Sequence, residues 1–407
     1  MQTETSAYLE DLSKCVRCGG CKAPCPTLDD DPLEPMGTRG RLILLHSLIK
    51  GEIKPSPLLS ERIFSCILCG ACSGICPLGV DIMEVMYRGR AILSKDDKKR
   101  RLLRSAAKMS AKWPDFTFRL LRLGERFIFP MLMRRGIIPF SPEFSEIPFS
   151  KNEQVFKVHK KKGRVAIFVG CSTNYVFPHF GESLVNVLQK FGYEVVLPKG
   201  LTCCGAPLRA LGLEKEAAEL AKKNYRVLSR LKVDAILSPC PTCTTSLQIE
   251  YPKTIGKGLD RAMDISTFFD DKLKRLDKIN KTSFYHDPCH LYYGLGVKKE
   301  PREIIKKSGL DLAGPADRAC CGFGGLYCLC FKETSTSLLK KRTDRIIESN
   351  ADMVITACPS CVFQLGRTIT DRPVLHLIEL IEEAYCFRSA ERSPKKENDP
   401  EREPMLF

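Results

Sequence analysis

The 407-residue chain lacks any long apolar run. No stretch approaches the roughly 18 uninterrupted apolar residues that a membrane-crossing helix needs. The nearest, Leu42–Ile49, is short and carries His46. A cationic, apolar, cleavable leader is missing as well, since the opening MQTETSAYLEDLSKC is polar and acidic. The expected location is therefore a reducing compartment, the cytoplasm, with any membrane contact peripheral and at the inner face of the cytoplasmic membrane. A nucleotide-binding glycine turn is also absent. Gly294-x-Gly296 wants a third glycine, Gly322-x-Gly324-Gly325 follows a cysteine pair, and there is neither a P-loop nor a GxSxG. That excludes a flavin or NAD site on this chain, and with it direct hydride transfer from an organic acid. Acidic residues are scarce, 48 against 64 Lys and Arg, for a formal charge of +16. Such an excess invites a nucleic-acid reading. The cations concentrate between Lys95 and Lys162, however, and metal-bound thiolates would offset part of the charge, so no nucleic-acid partner is expected.

Cysteine is what the chain has in excess: 21 residues, 18 of them in two kinds of pattern that each occur twice. Cys15, Cys18, Cys21 and Cys25 spell C-x2-C-x2-C-x3-C before Pro26. Cys66, Cys69, Cys72 and Cys76 repeat it before Pro77. In such ferredoxin-type runs three closely spaced cysteines cap one cluster and the fourth reaches the other. Cys15, Cys18, Cys21 and Cys76 are thus expected to hold one cubane [4Fe-4S] cluster, and Cys66, Cys69, Cys72 and Cys25 the second. Zinc fits poorly, because it favours four ligands arranged as two separated pairs.

Further on, Cys171, Cys203-Cys204 and Cys240-x2-Cys243 form a set of five. Cys289, Cys320-Cys321 and Cys358-x2-Cys361 form it again, offset by 118, 117 and 118 residues. Five thiols exceed what a cubane needs, and adjacent cysteines cannot easily cap two of its corners. An open, noncubane cluster with one thiolate bridging irons would use all five, for up to two further iron–sulfur clusters. Cys203, Cys204, Cys320 and Cys321 are then the candidates for bond-making chemistry. His286 and His290 flank Cys289, either as proton donors or hydrogen-bond partners to cluster sulfur or as parts of a loop turned by Asp287-Pro288. Cys328, Cys330 and Cys386 have no counterpart in the first repeat and are expected to be spare.

The expected fold is multidomain. Residues 1–94 form a small, mostly α-helical domain for two [4Fe-4S] clusters, with helices in Thr38–Ile53 and Asp81–Leu93. Residues 95–162 are a basic helical connector. It could be an amphipathic surface element, but the simpler expectation is a linker that packs its apolar face on its own protein. Residues 163–280 and 281–386 are tandem pseudo-repeated α/β domains. Short β-branched runs (Val165–Val169, Ala235–Leu237, Met353–Thr356) end at cysteine loops, and helices (Glu182–Phe191, Glu214–Leu231) intervene, so the thiols fall at the carboxyl ends of parallel strands. Residues 387–407, polar and rich in proline, are expected to be a disordered tail.

Residues 1–385 resemble the iron–sulfur subunits of glycolate oxidase, D-lactate dehydrogenase and glycerol-3-phosphate dehydrogenase, and the catalytic subunit of membrane-linked heterodisulfide reductase. The residues carrying the resemblance are the two C-x2-C-x2-C-x3-CP runs, Thr38-Arg39-Gly40-Arg41-Leu42, Cys203-Cys204-Gly205, His286-x-Pro288-Cys289-His290-Leu291 and Cys320-Cys321-Gly322. The resemblance implies two "CCG" cysteine-rich domains behind a ferredoxin-type domain, and two different jobs. In the glycolate and lactate systems a separate FAD-containing dehydrogenase subunit oxidises the 2-hydroxy acid, and this subunit passes electrons to quinone or a membrane electron-transfer subunit. In heterodisulfide reductases the CCG domains hold noncubane clusters that cleave a disulfide. The leading expectation is the former, an oxidoreductase subunit that relays electrons, with disulfide reduction as the alternative.

Overall fold

Short runs of Val, Ile, Leu and Phe, each closed by a glycine or cysteine loop, build two parallel sheets. The computed structural model describes residues 12–141, 143–150, 154–314 and 318–387. The strands are β1 (Gln154–Phe156), β2 (Gly163–Ile167), β3 (Tyr193–Leu197), β4 (Ala235–Ser238), β5 (Ala262–Asp264), β6 (Thr282–His286), β7 (Asp311–Leu312), β8 (Met353–Thr356) and β9 (Val374–His376). The first sheet has the order β1-β3-β2-β4-β5 and the second β7-β6-β8-β9. All neighbours are parallel except β1, which runs antiparallel on β3. Without β1 the two orders are the same. The repeat read from the cysteines is thus a repeat of topology, and both five-thiol sets follow the carboxyl ends of equivalent strands. β1 lies in the stretch assigned to the connector, so the first α/β unit begins before residue 163.

The two units are not separate cores. A single apolar cluster joins Val165, Ile167, Phe180 and Leu184 of the first to Tyr285, Ile304, Ile355 and Leu377 of the second. Helix Pro178–Lys190 of the first unit packs on helix Leu377–Glu382 of the second, and helix Ile265–Phe269 of the first packs on helix Glu300–Lys307 of the second. Each contact is the other with the roles of the units exchanged, which is the signature of a two-fold axis. Asn186 Nδ2 donates to Glu382 Oε1 at 2.7 Å across one, and Lys307 Nζ meets Asp270 Oδ1 at 2.9 Å across the other.

The N-terminal region is helical, as expected. Helix Thr38–Ile49 and helix Ile82–Leu93 bury Leu42, Leu45, Leu48, Ile82, Val85, Met86 and Leu93 against helix Pro57–Phe64. Asp81 Oδ1 accepts from Glu84 N at 3.1 Å and Ser56 Oγ from Leu59 N at 3.2 Å, so both helix starts carry a side-chain cap. This domain docks on both α/β units. Lys253 Nζ reaches Asp81 Oδ2 at 2.6 Å, Arg88 Nη1 reaches Glu214 Oε2 at 3.1 Å, and Lys341 Nζ reaches Asp29 Oδ2 at 2.8 Å.

The connector folds as helices Arg101–Lys112, Pro114–Glu125 and Ile128–Arg134. The expectation that its apolar face would be covered by its own protein holds for one side only. Phe118 stacks on Tyr175 with centroids 4.1 Å apart, but Trp113, Phe116, Leu120, Leu123 and Phe127 face outward. No helix among the described residues is long and apolar enough to cross a membrane. The expected tail lies outside the described residues, apart from Phe387.

Candidate iron–sulfur site

The two ferredoxin-type runs adopt matching, strained loops. Arg17 and Leu68, each just before the second cysteine of its run, sit at φ 58° and 59°. Non-glycine residues visit this region rarely, and such strain gathers at functional loops. Here it curls the backbone so that the cysteines converge. Cys15, Cys18, Cys21 and Cys76 line one cavity together with Val16, Leu42 and Val80. Cys18 is exposed, so this group stands at the protein surface. Cys25 does not line this cavity and stands between Cys21 and Cys72, which also feels Cys66, while Cys69 feels Cys72 and Cys66. The cavity thus gathers the four cysteines expected to hold one cluster, with the other four beside it. Burial pushes the Cys72 thiol up to about 12, so it would ionise only against a compensating cation such as a metal ion.

Buried cations back this inner group. Arg41 donates to Arg62 O at 2.8 Å, Thr27 Oγ1 at 3.0 Å and Ser65 Oγ at 2.9 Å. Arg90 donates to Ala210 O at 2.7 Å, to Phe64 O at 3.1 Å and to the carbonyl of Cys66. No carboxylate among the described residues pairs with either, and Arg90 Nε has no partner. Burial lowers Arg90 to about 10, and the Cys66 thiol pulls it back up. Two buried guanidiniums without a carboxylate are costly unless an anion stands nearby. A thiolate-ligated cluster of about −2 charge supplies one, so the residues present fit that group. Sequence reasoning noted Arg41 only as part of a shared string and missed Arg90, because nothing local distinguishes a buried arginine from a solvated one.

The five-thiol sets each close on themselves and then on each other. Cys171, Cys203, Cys204, Cys243 and Cys240 form a series of interacting neighbours in the first unit. In the second unit Cys289 and Cys320 Sγ lie 3.9 Å apart and Cys321 and Cys361 Sγ 3.6 Å apart, with Cys358 beside Cys361. The Cys240 and Cys358 thiols stand close enough to influence one another. They occupy the same place in the two repeats, so the pseudo-two-fold axis runs between them. Close approach is possible because Gly170 precedes Cys171: a Cβ there would sit 2.9 Å from Cys243 Sγ. Gly322, at φ +81°, turns the chain after Cys321 and donates its N–H to Cys320 Sγ at 3.3 Å. Cys69 of the inner ferredoxin group in turn lies near enough to Cys289 for their charges to interact. All 18 expected cysteines therefore form one series, from the exposed Cys18 through the inner group to the far five-thiol set.

The two histidines part ways. His286 is fully buried, and its Nδ1 accepts from Arg342 Nε at 2.9 Å. The remaining ring proton is thereby assigned to Nε2, which has no hydrogen-bond partner, and the ring stands with Cys321 and Cys361 Sγ in a cluster 4.8 Å across. Burial and Arg342 hold its pKa down, so it stands neutral beside Cys321. His290 spans three parts of the fold: Nδ1 meets Thr242 Oγ1 at 2.6 Å and Nε2 meets Leu68 O at 3.2 Å. It also lines a cavity of about 170 Å³ with Cys69, Tyr87, Thr242, Glu250 and Tyr293. Of the spare thiols, Cys328 donates to Gly325 O at 3.0 Å in a purely local bond.

Comparison with known proteins gives this arrangement a family. A family described as a 4Fe-4S dicluster domain matches residues 11–80, and one described as a cysteine-rich domain, CCG, matches residues 165–248 and 283–366. Lactate utilization protein A of a Geobacillus species is 30% identical over 237 residues, 54% of this chain and 98% of that protein. The chain belongs to the twin-CCG iron–sulfur oxidoreductase subunits. Two other members match along nearly their whole length. A subunit of the dihydromethanophenazine:CoB–CoM heterodisulfide reductase of Methanosarcina barkeri is 27% identical over 93% of this chain and 95% of its own. The probable glycolate oxidase iron–sulfur subunit of Bacillus subtilis is 26% identical over 92% and 94%. Twin-CCG subunits thus include both of the activities expected above, at the same distance from this chain.

Proposed function

We propose that this subunit relays electrons from an FAD-containing partner that oxidises a 2-hydroxy acid, of the glycolate or D-lactate type, to quinone or a membrane electron-transfer subunit. In this reading Cys15, Cys18, Cys21 and Cys76 hold one cubane [4Fe-4S] cluster, Cys66, Cys69, Cys72 and Cys25 hold a second, and each five-thiol set holds a further cluster of noncubane form. The observation that carries the reading is the approach of the inner ferredoxin group to the Cys289 set, where His290 Nε2 meets Leu68 O at 3.2 Å and Cys69 feels Cys289. Bound clusters would supply one-electron steps between a two-electron flavin and its acceptor. The chain's own residues do the rest. Arg41 and Arg90 neutralise the inner site, the strained loops at Arg17 and Leu68 fix the ligand spacing, and the exposed rim at Cys18, Val16 and Leu78 offers a partner a short path inward.

A second reading is favoured by one observation: both five-thiol sets are complete and meet at Cys240 and Cys358. Two adjoining sites could each deliver an electron to one bond, as disulfide reduction requires. The discriminating experiment is anaerobic purification from the native source, a test for a co-purifying FAD subunit, and parallel assays of hydroxy-acid oxidation and disulfide reduction. A flavoprotein with hydroxy-acid turnover supports the first reading. Disulfide turnover without one sinks it in favour of the second.

A further inference from the structure

We infer that the outward face of helix Pro114–Glu125 and the segment after it form a docking surface for an anionic lipid bilayer. Of the 21 large apolar side chains exposed among the described residues, eleven lie between Leu102 and Ile147, so the exposure is concentrated rather than scattered. Five of them share one stripe at helical spacing: Trp113 (53% exposed), Phe116 (61%), Leu120 (50%), Leu123 (75%) and Phe127 (72%). The flank beside this stripe is already used, with Thr117 and Gly124 buried, and on the opposite side Phe118 stacks on Tyr175. The outward stripe is therefore surplus to the fold.

Charge selects the occupant. Residues 101–147 hold nine Lys and Arg against four acids, Asp115, Glu125, Glu143 and Glu146. Asp115 accepts from Tyr175 Oη at 2.7 Å, Glu125 from Phe144 N at 2.5 Å, and Glu146 pairs with Arg122 at 2.6 Å. Arg119, Arg122 and Arg126 run beside the stripe, and Arg134 and Arg135 stand among Ile128, Met131, Met133 and Ile137. Apolar and aromatic side chains flanked by Arg and Lys, on a helix too short to span, make a surface that lies in the headgroup layer.

The element is also anchored at both five-thiol sets. Tyr175, which receives Phe118 and Asp115, ends the helix that holds Cys171. Phe140, downstream, packs edge-on against Phe363 at 4.9 Å and lies near Phe323, beside Cys361 and Cys321. Docking would thus hold the ten-thiol band at a fixed depth relative to the bilayer. The inference deepens the reading that electrons leave toward a membrane carrier, but its test needs no electron transfer, so the two can fail separately.

The test uses the full holoprotein with vesicles of phosphatidylcholine, with and without phosphatidylglycerol. The wild type should co-sediment only with the anionic vesicles. The double variant Leu120→Asp/Leu123→Asp should bind them about a hundredfold more weakly, each lost insertion counting for roughly tenfold, with its iron content unchanged. Leu58→Asp, an exposed leucine outside the segment, should bind as the wild type does. Failure of the wild type to bind would overturn the inference and leave a protein subunit as the occupant. Binding that survives the double variant, or that Leu58→Asp weakens equally, would overturn it as well.

Discussion

The two CCG units have the same strand order and the same five thiols, and they surround those thiols differently. In the second, His286 stands beside Cys321 and Cys361, its Nδ1 held by Arg342 and its buried Nε2 without a hydrogen-bond partner. The 118-residue offset puts Phe168 in its place in the first and Asn224 in the place of Arg342. Phe168 packs with Cys204, Cys240, Cys243 and Tyr251. Asn224 donates to Cys203 O at 3.0 Å and to Tyr251 Oη at 2.9 Å. One set therefore has an unsatisfied imidazole nitrogen beside its thiols, and the other has an aromatic wall braced by an amide. Hydrogen bonds to cluster sulfur raise reduction potential, so clusters bound at the two sets would differ in potential, the second higher.

The largest test removes one set and spares the other. Cys204→Ser should abolish the paramagnetic signal of the first unit, with loss of up to about four irons, and leave the second unit and the ferredoxin-type signals. Cys321→Ser should do the converse. Loss of both from either variant would mean that the sets are one site joined at Cys240 and Cys358. Next comes the donor itself. His286→Phe should lower the potential of the second site by roughly 40 mV, the equivalent of a hydrogen bond worth about 1 kcal/mol, and leave the first unmoved. A redox titration in which both or neither shift would erase the proposed asymmetry.

The smallest effect concerns the helix caps that follow β5 and β9. Asp264 Oδ1 accepts from Ser266 N at 2.8 Å in the first unit, and His376 Nδ1 from Ile378 N at 3.2 Å in the second. Burial raises Asp264 to about 6 and lowers His376 to about 3. The signs then differ. A buried carboxyl that keeps its proton contributes stability that is lost as pH rises from about 4 through 6. An imidazole held neutral contributes stability that is lost as pH falls below about 6.5. His376→Asn, which can still cap the helix, should therefore flatten the acid limb of the stability curve by about one proton between pH 6.5 and 4. An unchanged slope in denaturant titrations would show that His376 is not the group responsible.

Much of this comparison could be read in the sequence, and the unreadable part has physical reasons. Cysteine spacing is local, so it gave away both ligand patterns and the repeat. β8 falls on Met353–Thr356 as expected, because a β-branched run ending at a cysteine loop admits few alternatives. Helix Ile82–Leu93 falls where a helix was expected, at Asp81–Leu93, with Asp81 as its cap. The exchange packing of the two units was hidden, since it depends on contacts more than a hundred residues apart. So was the direction of the connector's apolar stripe. Periodicity shows that Phe116, Leu120 and Leu123 share a face, but the face that turns inward is decided by Phe118 meeting Tyr175. The role of His286 was left open because a ring proton is assigned only once its other nitrogen has a partner, and Arg342 is 56 residues away.

The axis between Cys240 and Cys358 carries a last consequence, about ancestry. A chain with a single CCG unit could reproduce this arrangement only as a homodimer, with helix Pro178–Lys190 of each copy lying on the other's counterpart of helix Leu377–Glu382. By symmetry, such a dimer would have to place the same side chain before the first thiol of both copies, two phenylalanines or two histidines. Tandem duplication makes the pairing permanent and frees each half to vary. The difference between Phe168 and His286 is open only to a chain that carries both halves of its own dimer.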